Sequence, residues 1–269
     1  MIRQIPWRVK PPLGIRQNPS HPLSYGLMGH WLMNEAGGLT AYDISGNGNH
    51  GTLTNGPTWT QGQFGPALSF DGLDDRVTLP DMGTAESYPF TFSAWFNTSA
   101  ADATQAVVSQ TNSADSAQRA QLTYADTVTN FCWNVRNGAS EAEACTSITQ
   151  DGAWHHAVGV SLSATDHKLY VDGVLKTSNT NSVSAPAVDT TTIGDNPKIV
   201  FPWNGRIDDV RIYNRALSAG EISYLYVYPF ADLIARRQIL VMPPVAAGRI
   251  FKLAGRGGGL AGPSIGLAG

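Results

Sequence analysis

Phe90-Thr-Phe-Ser-Ala-Trp-Phe96 is the stretch that decides the fold. Every second residue (Phe90, Phe92, Ala94, Phe96) is apolar, and side chains of an extended chain alternate between two faces, so these four share one side of a strand. The same period of two runs through Trp154, His156, Val158 and Val160 and places Leu169 with Val171. Turn residues punctuate these segments. Asp172-Gly173 joins Leu169–Val171 to Val174–Lys176, and Asn137-Gly138 stands between Phe131–Arg136 and Glu141–Ile148; both dipeptides suit the left-handed conformations of two-residue hairpins. About a dozen such segments predict an antiparallel two-sheet sandwich. Only Ser218–Tyr226 reads as helical, with Ser218 as N-cap and Glu221 at the capping-box position.

Composition agrees. The chain has 269 residues, 42% hydrophobic and 14% charged, with 28 glycines and 16 prolines. That excludes a disordered or collagenous chain and disfavours a helical bundle, and the length suits one large β domain with extensions. Its apolar runs are short pieces such as Ile239-Leu240-Val241-Met242, so no membrane helix is expected and the reading is of a soluble protein. Met1–Lys10 carries positive charge without a following apolar core or small-residue cleavage site, so no signal peptide is read.

Charge divides the chain into three. Residues 1–24 are formally +4 and residues 229–269 are also +4, which leaves −11 on the middle. The expected organisation is a Pro-rich basic N-terminal arm (1–24), an acidic β body (25–227) and a basic, Gly-rich C-terminal tail (228–269). Apolar residues in the arms, among them Trp7, Ile239, Leu240 and Phe251, favour ends that order on a partner. The basic charges lack an interleaved aromatic patch, so nucleic acid is not the expected partner. Cys132 and Cys145 straddle the Asn137-Gly138 turn at positions that sum to 277. They can therefore face each other as a disulfide or as two reduced core thiols, with the bridge slightly favoured.

Four segments in order resemble the laminin-G-like, pentraxin-like jelly rolls of the concanavalin A-like lectin/glucanase superfamily. They are Gly29-His-Trp-Leu-Met-Asn-Glu35 with Tyr42-Asp-Ile-Ser-Gly-Asn-Gly-Asn-His-Gly51, Ala67-Leu-Ser-Phe-Asp-Gly-Leu-Asp-Asp-Arg-Val77, Asp151-Gly-Ala-Trp-His-His-Ala-Val158 running into Lys168–Leu175, and Gly205-Arg-Ile-Asp-Asp-Val-Arg-Ile-Tyr-Asn-Arg-Ala-Leu217. The resemblance covers about residues 25–227 and implies an all-β, two-sheet antiparallel jelly-roll sandwich with a short closing helix and extended arms. It also implies a structural Ca2+ held by Asp43, Asn47 and Asp208, and the oxygen-rich loop Asp43–Asn49 suits a hard cation. The metal-free alternative has Asp43 capping an Asx-turn and Asp208 paired with Arg206 or Arg211. Alternation puts Asp208 on one face with Val210 and Ile212, pointing inward.

Catalysis is not expected. The only candidate carboxylate pair, Glu141-Ala-Glu143, lacks the Asp of the Glu-x-Asp-x-Glu pattern of the retaining glucanases it would resemble, and a solvated strand face explains it. Neither a Gly-x-Ser-x-Gly elbow nor a Walker or Rossmann glycine pattern occurs. The function expected is structural or adhesive. Trp95 and Tyr170, each alternating away from its strand's apolar set, are the candidates for stacking on sugar rings, with packing beneath a neighbouring loop as the alternative. Pro11-Pro-Leu-Gly14, Asn18-Pro-Ser-His-Pro-Leu-Ser-Tyr-Gly-Leu27 and Tyr224–Phe230 look like laminin-G-like proteins of tailed bacteriophages. That second resemblance implies a virion protein assembled in the host cytoplasm. Capsid or tail proteins would be bound through the arms, a host-surface glycan through the body, and a homo-oligomer is expected. The rival is a free bacterial carbohydrate-binding protein or inactive glucanase relative.

Overall fold

The structure is a computed structural model that describes residues 9–100, 104–125, 129–198 and 201–234. Expectations placed on Met1–Arg8 and on the tail beyond Ile234, including its anchoring apolar residues, lie outside the described residues. All described residues belong to one compact unit, Met1–Arg236.

In chain order the strands are β1 (Arg16–Gln17), β2 (Leu27–Trp31), β3 (Thr40–Ala41), β4 (Gly51–Thr54), β5 (Thr58–Gln61) and β6 (Pro66–Asp71). There follow β7 (Arg76–Leu79), β8 (Phe90–Asn97), β9 (Gln105–Thr111), β10 (Gln118–Tyr124), β11 (Asn130–Asn137) and β12 (Ser140–Ser147). The last are β13 (Trp154–Ser163), β14 (Asp166–Val171), β15 (Val174–Asn179), β16 (Thr190–Ile193), β17 (Asn204–Tyr213) and β18 (Leu233–Ile234), with helix α1 (Ala219–Val227) between β17 and β18. The back sheet runs β12-β11-β10-β9-β16-β7-β4-β3 and the front sheet β15-β14-β13-β8-β17-β6-β5, with β2 also on β17. The pairings are antiparallel, so the expected two-sheet jelly-roll sandwich is what the chain forms.

The period of two finds its cause between the sheets. Phe90, Phe92, Ala94 and Phe96 enter one core with Phe131, Trp133, Val210 and Ile212. Gly159 of β13 exists for that core: a Cβ there would lie 2.2 Å from the Trp133 ring. The Asp172-Gly173 turn behaves as read, both residues taking positive φ (54° and 78°), whereas in the other hairpin Asn137 ends β11 opposite Ser140 and Gly138, at φ 61°, opens the turn with Ala139. Cys132 and Cys145 are register partners across β11–β12 and form a disulfide. Helix α1 carries the full capping box between Ser218 and Glu221.

β8 departs from half-burial: all eight of its residues are buried. The cause lies on the outer face of the front sheet, which is roofed by three pieces of chain. Helix α1 packs Ile222 and Leu225, with Leu217 just before it, on Val158, Val160, Tyr170 and Tyr213. The segments flanking the body add Ile15 from one end and Phe230 and Leu233 from the other, around Leu32, Phe64 and Trp95. β1 pairs with β18, so the two flanks meet each other as well as the sheet. The division at 24/25 and 227/228 is therefore corrected for the inner parts of both arms: residues 10–24 and 228–234 are built into the body.

Candidate functional site

The front sheet's outer face holds most of the residues singled out from sequence, and it changes what several of them can do. Trp95 does point away from the core, as its parity requires, but it is only 2% exposed. Its ring is stacked with His156 at 5.1 Å and Tyr226 at 5.6 Å, and meets the edge of Phe64 at 4.9 Å. Tyr170 lies under α1. Trp95 is not available to a sugar, which corrects its assignment to a stacking pair, while Tyr170, 7% exposed, borders a cleft shared with Leu162, Lys168 and Glu221. The covering residues come from distant parts of the chain, so alternation gave the direction of the ring and not its cover.

Asp43, Asn47 and Asp208 are likewise not assembled as a cation site. Asp43 Oδ1 accepts the His30 and Ser45 N–H groups at 3.0 and 2.8 Å, and Oδ2 accepts Ser45 Oγ and the Asn49 N–H at 2.8 and 2.9 Å. A carboxylate offers about four lone-pair sites, and all four are taken. Asn47 turns its amide nitrogen to the Leu27 and Met28 carbonyls at 2.8 and 3.1 Å. Asp208 Oδ1 receives the Lys10 ammonium and the Asp209 N–H. The residues thus do not fit the Ca2+ that the resemblance implied, and the Asx-turn reading of Asp43 is the one the geometry matches.

The partner of Asp208 is neither arginine expected for it, and its side is also reversed. Asp209 sits at φ 42° in a β-bulge, where the register with β8 slips between Asp208 and Arg211. The extra residue restores Val210 and Ile212 to the core while Asp208 faces outward opposite Trp95. Burial pushes the Asp208 carboxyl up to about 7 against the opposing pull of Lys10. Beside it, Asp209 binds His30 Nε2 at 2.7 Å and Arg211 Nε at 3.2 Å, and Arg211 Nη1 reaches Asp232 at 2.6 Å. Burial pushes the Asp209 carboxyl up, but Arg211 and then His30 overcome it and hold it well below the carboxylate range. Gln17 closes the network onto Asp232 at 2.6 Å. These contacts, spanning up to 215 residues of chain, had no local signal in the sequence.

Glu141 and Glu143 are bound into a lattice on β12. Both accept from the amide of Asn134 at 2.8 Å, and Glu141 also takes Arg119 at 2.8 Å. As an acid/base pair they would have to give up these donors.

One row of the front sheet is covered only at its β13 end, where Trp154 packs against the roof cluster. Cross-strand partners Trp154, Asn97, Arg206, Ser69 and Thr58 line up across β13, β8, β17, β6 and β5. At that row opens a polar cleft of about 400 Å³ lined by Thr60, Ser69, Asn97, Thr98, Asn204 and Arg206. Arg206 forms its floor. Its Nε and Nη2 donate to Asn97 Oδ1 at 3.1 and 2.9 Å, its Nη1 to the Gln61 carbonyl at 3.3 Å, and its guanidinium lies 5.6 Å from the Trp154 ring centroid. Gly205 makes the approach possible: with φ 151°, a Cβ there would strike the Asn97 carbonyl oxygen at 2.2 Å. Asn97, Arg206 and Trp154 were not selected from the sequence. The readable signal was Trp154, which is two residues from His156 and shares its outward parity.

A roofed jelly roll with an open polar cleft fits a lectin-like binding domain. The concanavalin A-like lectin/glucanases superfamily, through its laminin G type 3 model, matches residues 70–223, more than half of the chain, and the protein belongs to that superfamily. No curated protein matches it by sequence. Among solved structures it is similar to domain 4 of AbnA, an extracellular arabinanase of Geobacillus stearothermophilus solved with arabinotriose, at 20% identity and a TM-score of 0.53, covering 74% of this chain and 98% of that one. It is similar to the binding domain of Paraclostridial Mosquitocidal Protein 1 at 17% identity and a TM-score of 0.62, covering 78% of this chain and 53% of that one. A mutant of Trypanosoma rangeli sialidase displaying trans-sialidase activity aligns at 19% identity and a TM-score of 0.56, over 79% of this chain and 35% of that one. The chain thus spans about half of the mosquitocidal binding domain and a third of the sialidase. At these identities the likeness is one of fold.

Proposed function

We propose that the protein is a non-enzymatic adhesion module that binds a glycan in the Thr60–Ser69–Arg206 cleft and is carried on a larger assembly by its terminal extensions. The observation that carries the reading is the polar cleft over β5, β6, β8 and β17. Hydroxyl-rich ligands need closely spaced donors and acceptors, and Thr60, Ser69, Ser99 and Arg206 bring hydroxyl and guanidinium groups to its lining. The arabinanase domain of similar fold was solved with a trisaccharide, which supports a saccharide as the ligand class. The resemblance of Pro11–Gly14, Asn18–Leu27 and Tyr224–Phe230 to phage laminin-G-like proteins supports a capsid or tail as the assembly, with the protein made in the host cytoplasm and present in several copies.

Titration of the full-length chain with an oligosaccharide panel tests the cleft. Binding should weaken by about tenfold or more in the double variant Thr60→Val with Ser69→Ala, the scale of about two lost hydroxyl contacts, with the melting temperature followed alongside. Absence of binding by the unsubstituted protein to every glycan of the panel would overturn the reading. Mass spectrometry of purified virus particles tests the mounting: the chain should be among the particle proteins, and its absence from them favours a free carbohydrate-binding protein.

A further inference from the structure

The charge arithmetic of the cleft narrows the ligand. Residues 25–228 carry a formal charge of −11, so acceptors for a guanidinium are plentiful. The jelly roll has six arginines, and five of them use those acceptors: Arg76 with Asp195 at 3.9 Å, Arg119 and Arg136 with Glu141 at 2.8 and 3.4 Å, Arg211 with Asp232 at 2.6 Å, and Arg215 with Glu221 at 2.7 Å. Among the described residues, no carboxylate lies within 4.0 Å of Arg206, and none lines its cleft.

Arg206 is nevertheless held in place. Three of its five N–H groups go to neutral oxygens, those of Asn97 and Gln61, and its plane is supported by Trp154. Neutral acceptors orient a guanidinium without cancelling its charge. Two N–H donors and a full positive charge remain, in a half-buried cleft where the charge is less screened than on open surface. A neutral sugar would use the donors and leave the charge uncompensated. A planar carboxylate would use both, since two N–H groups of one guanidinium match its two oxygens.

We infer that the cleft selects a saccharide bearing a carboxylate, a uronic or sialic acid residue, with Arg206 as the carboxylate receptor. The inference rests on the glycan-binding reading and specifies it. The acidic body repels such a ligand at long range, so recognition comes from the local pairing at Arg206 and not from the field of the whole molecule.

The test measures binding of the full-length protein to oligosaccharides ending in galacturonate, glucuronate or N-acetylneuraminate, each beside its carboxyl-reduced counterpart. At least one acidic glycan should bind about tenfold or more tighter than its reduced form, the difference one charge-assisted pair supplies. Arg206→Gln should erase that preference, and Arg206→Lys should keep part of it. Equal binding of acidic and reduced forms, or a preference that survives Arg206→Gln, overturns the inference while leaving glycan binding intact. Failure of both forms to bind removes the glycan-binding reading as well. The comparison of acidic with reduced glycans needs no variant, so it decides the matter even if a substitution at position 206 lowers stability.

Discussion

His156 shows how a single side chain can be set by neighbours that the sequence does not announce. It is 2% exposed, stacked on Trp95 and hydrogen-bonded through Nε2 to Ser93 at 2.9 Å. Burial lowers its pKa to about 4, with Asp209 opposing and Arg211 reinforcing the shift. An unfolded histidine titrates near 6.5, so on acidification the unfolded chain takes the proton first. Stability is therefore lost as pH falls from about 6.5 towards 4, by roughly 3 kcal/mol in total at about 1.4 kcal/mol per unit. Asp208, with a raised pKa, works in the opposite sense over much of the same range. The difference between the protein and His156→Gln isolates the histidine: denaturant melts from pH 7 to 4 should show a shallower acid decline in the variant, and parallel curves would refute the assignment. The adjacency of His155 and His156 on opposite faces was legible from alternation, and His155 indeed pairs elsewhere, with Asp172 at 2.9 Å. The depth at which His156 is buried was not, because Phe64, Tyr226 and Phe230 close that region from remote positions.

At the level of strands and hairpins the sequence was most informative, since period and turn residues are local properties. β8, β13 and β14 lie where alternation put them, and the Asn137-Gly138 turn brought Cys132 opposite Cys145 as the arithmetic of the hairpin required. What escaped was the bulge at Asp209. One residue in a left-handed conformation exchanges the faces of everything before it, so the inward orientation read for Asp208 from strict alternation was reversed. A close-packed pair elsewhere offers a direct test of strand packing. Gly159→Ala places a methyl 2.2 Å from the Trp133 ring, and β13 cannot withdraw without breaking its pairing to β8. The expected cost is about 3 kcal/mol, read as a fall in the urea midpoint at constant slope. A change under about 0.5 kcal/mol would mean that the sheets are looser than described.

For the molecule as a whole, composition and charge gave a β body with basic extensions, but the boundary of the body was drawn too narrowly. Phe230, only 2% exposed, meets the edge of Phe64 at 5.4 Å, and Asp232 anchors Arg211. Phe230→Ala should therefore cost about 3 to 5 kcal/mol, as for a core phenylalanine; a melting temperature equal to the parent's would return this segment to the status of a tail. Charge patterning found the tails because formal charge adds along the chain. It could not find which of their residues pack, since Lys10 and Gln17 act through partners more than fifty residues away. The Ca2+ expectation is settled at this scale by melting the intact protein with and without chelator at fixed ionic strength. With the Asp43 lone pairs filled by N–H and O–H donors, no shift is expected, whereas a metal held only by the folded state would raise the midpoint on addition.

The pairing of β1 with β18 has a mechanical corollary. The two strands are antiparallel and only two residues long, with Arg16 opposite Ile234 and Gln17 opposite Leu233. Tension drawn through the chain beyond Ile234 meets this two-rung ladder first, at the Arg16–Ile234 pair. The sandwich beneath, with its disulfide-closed hairpin, would feel that load only after the strap had lifted.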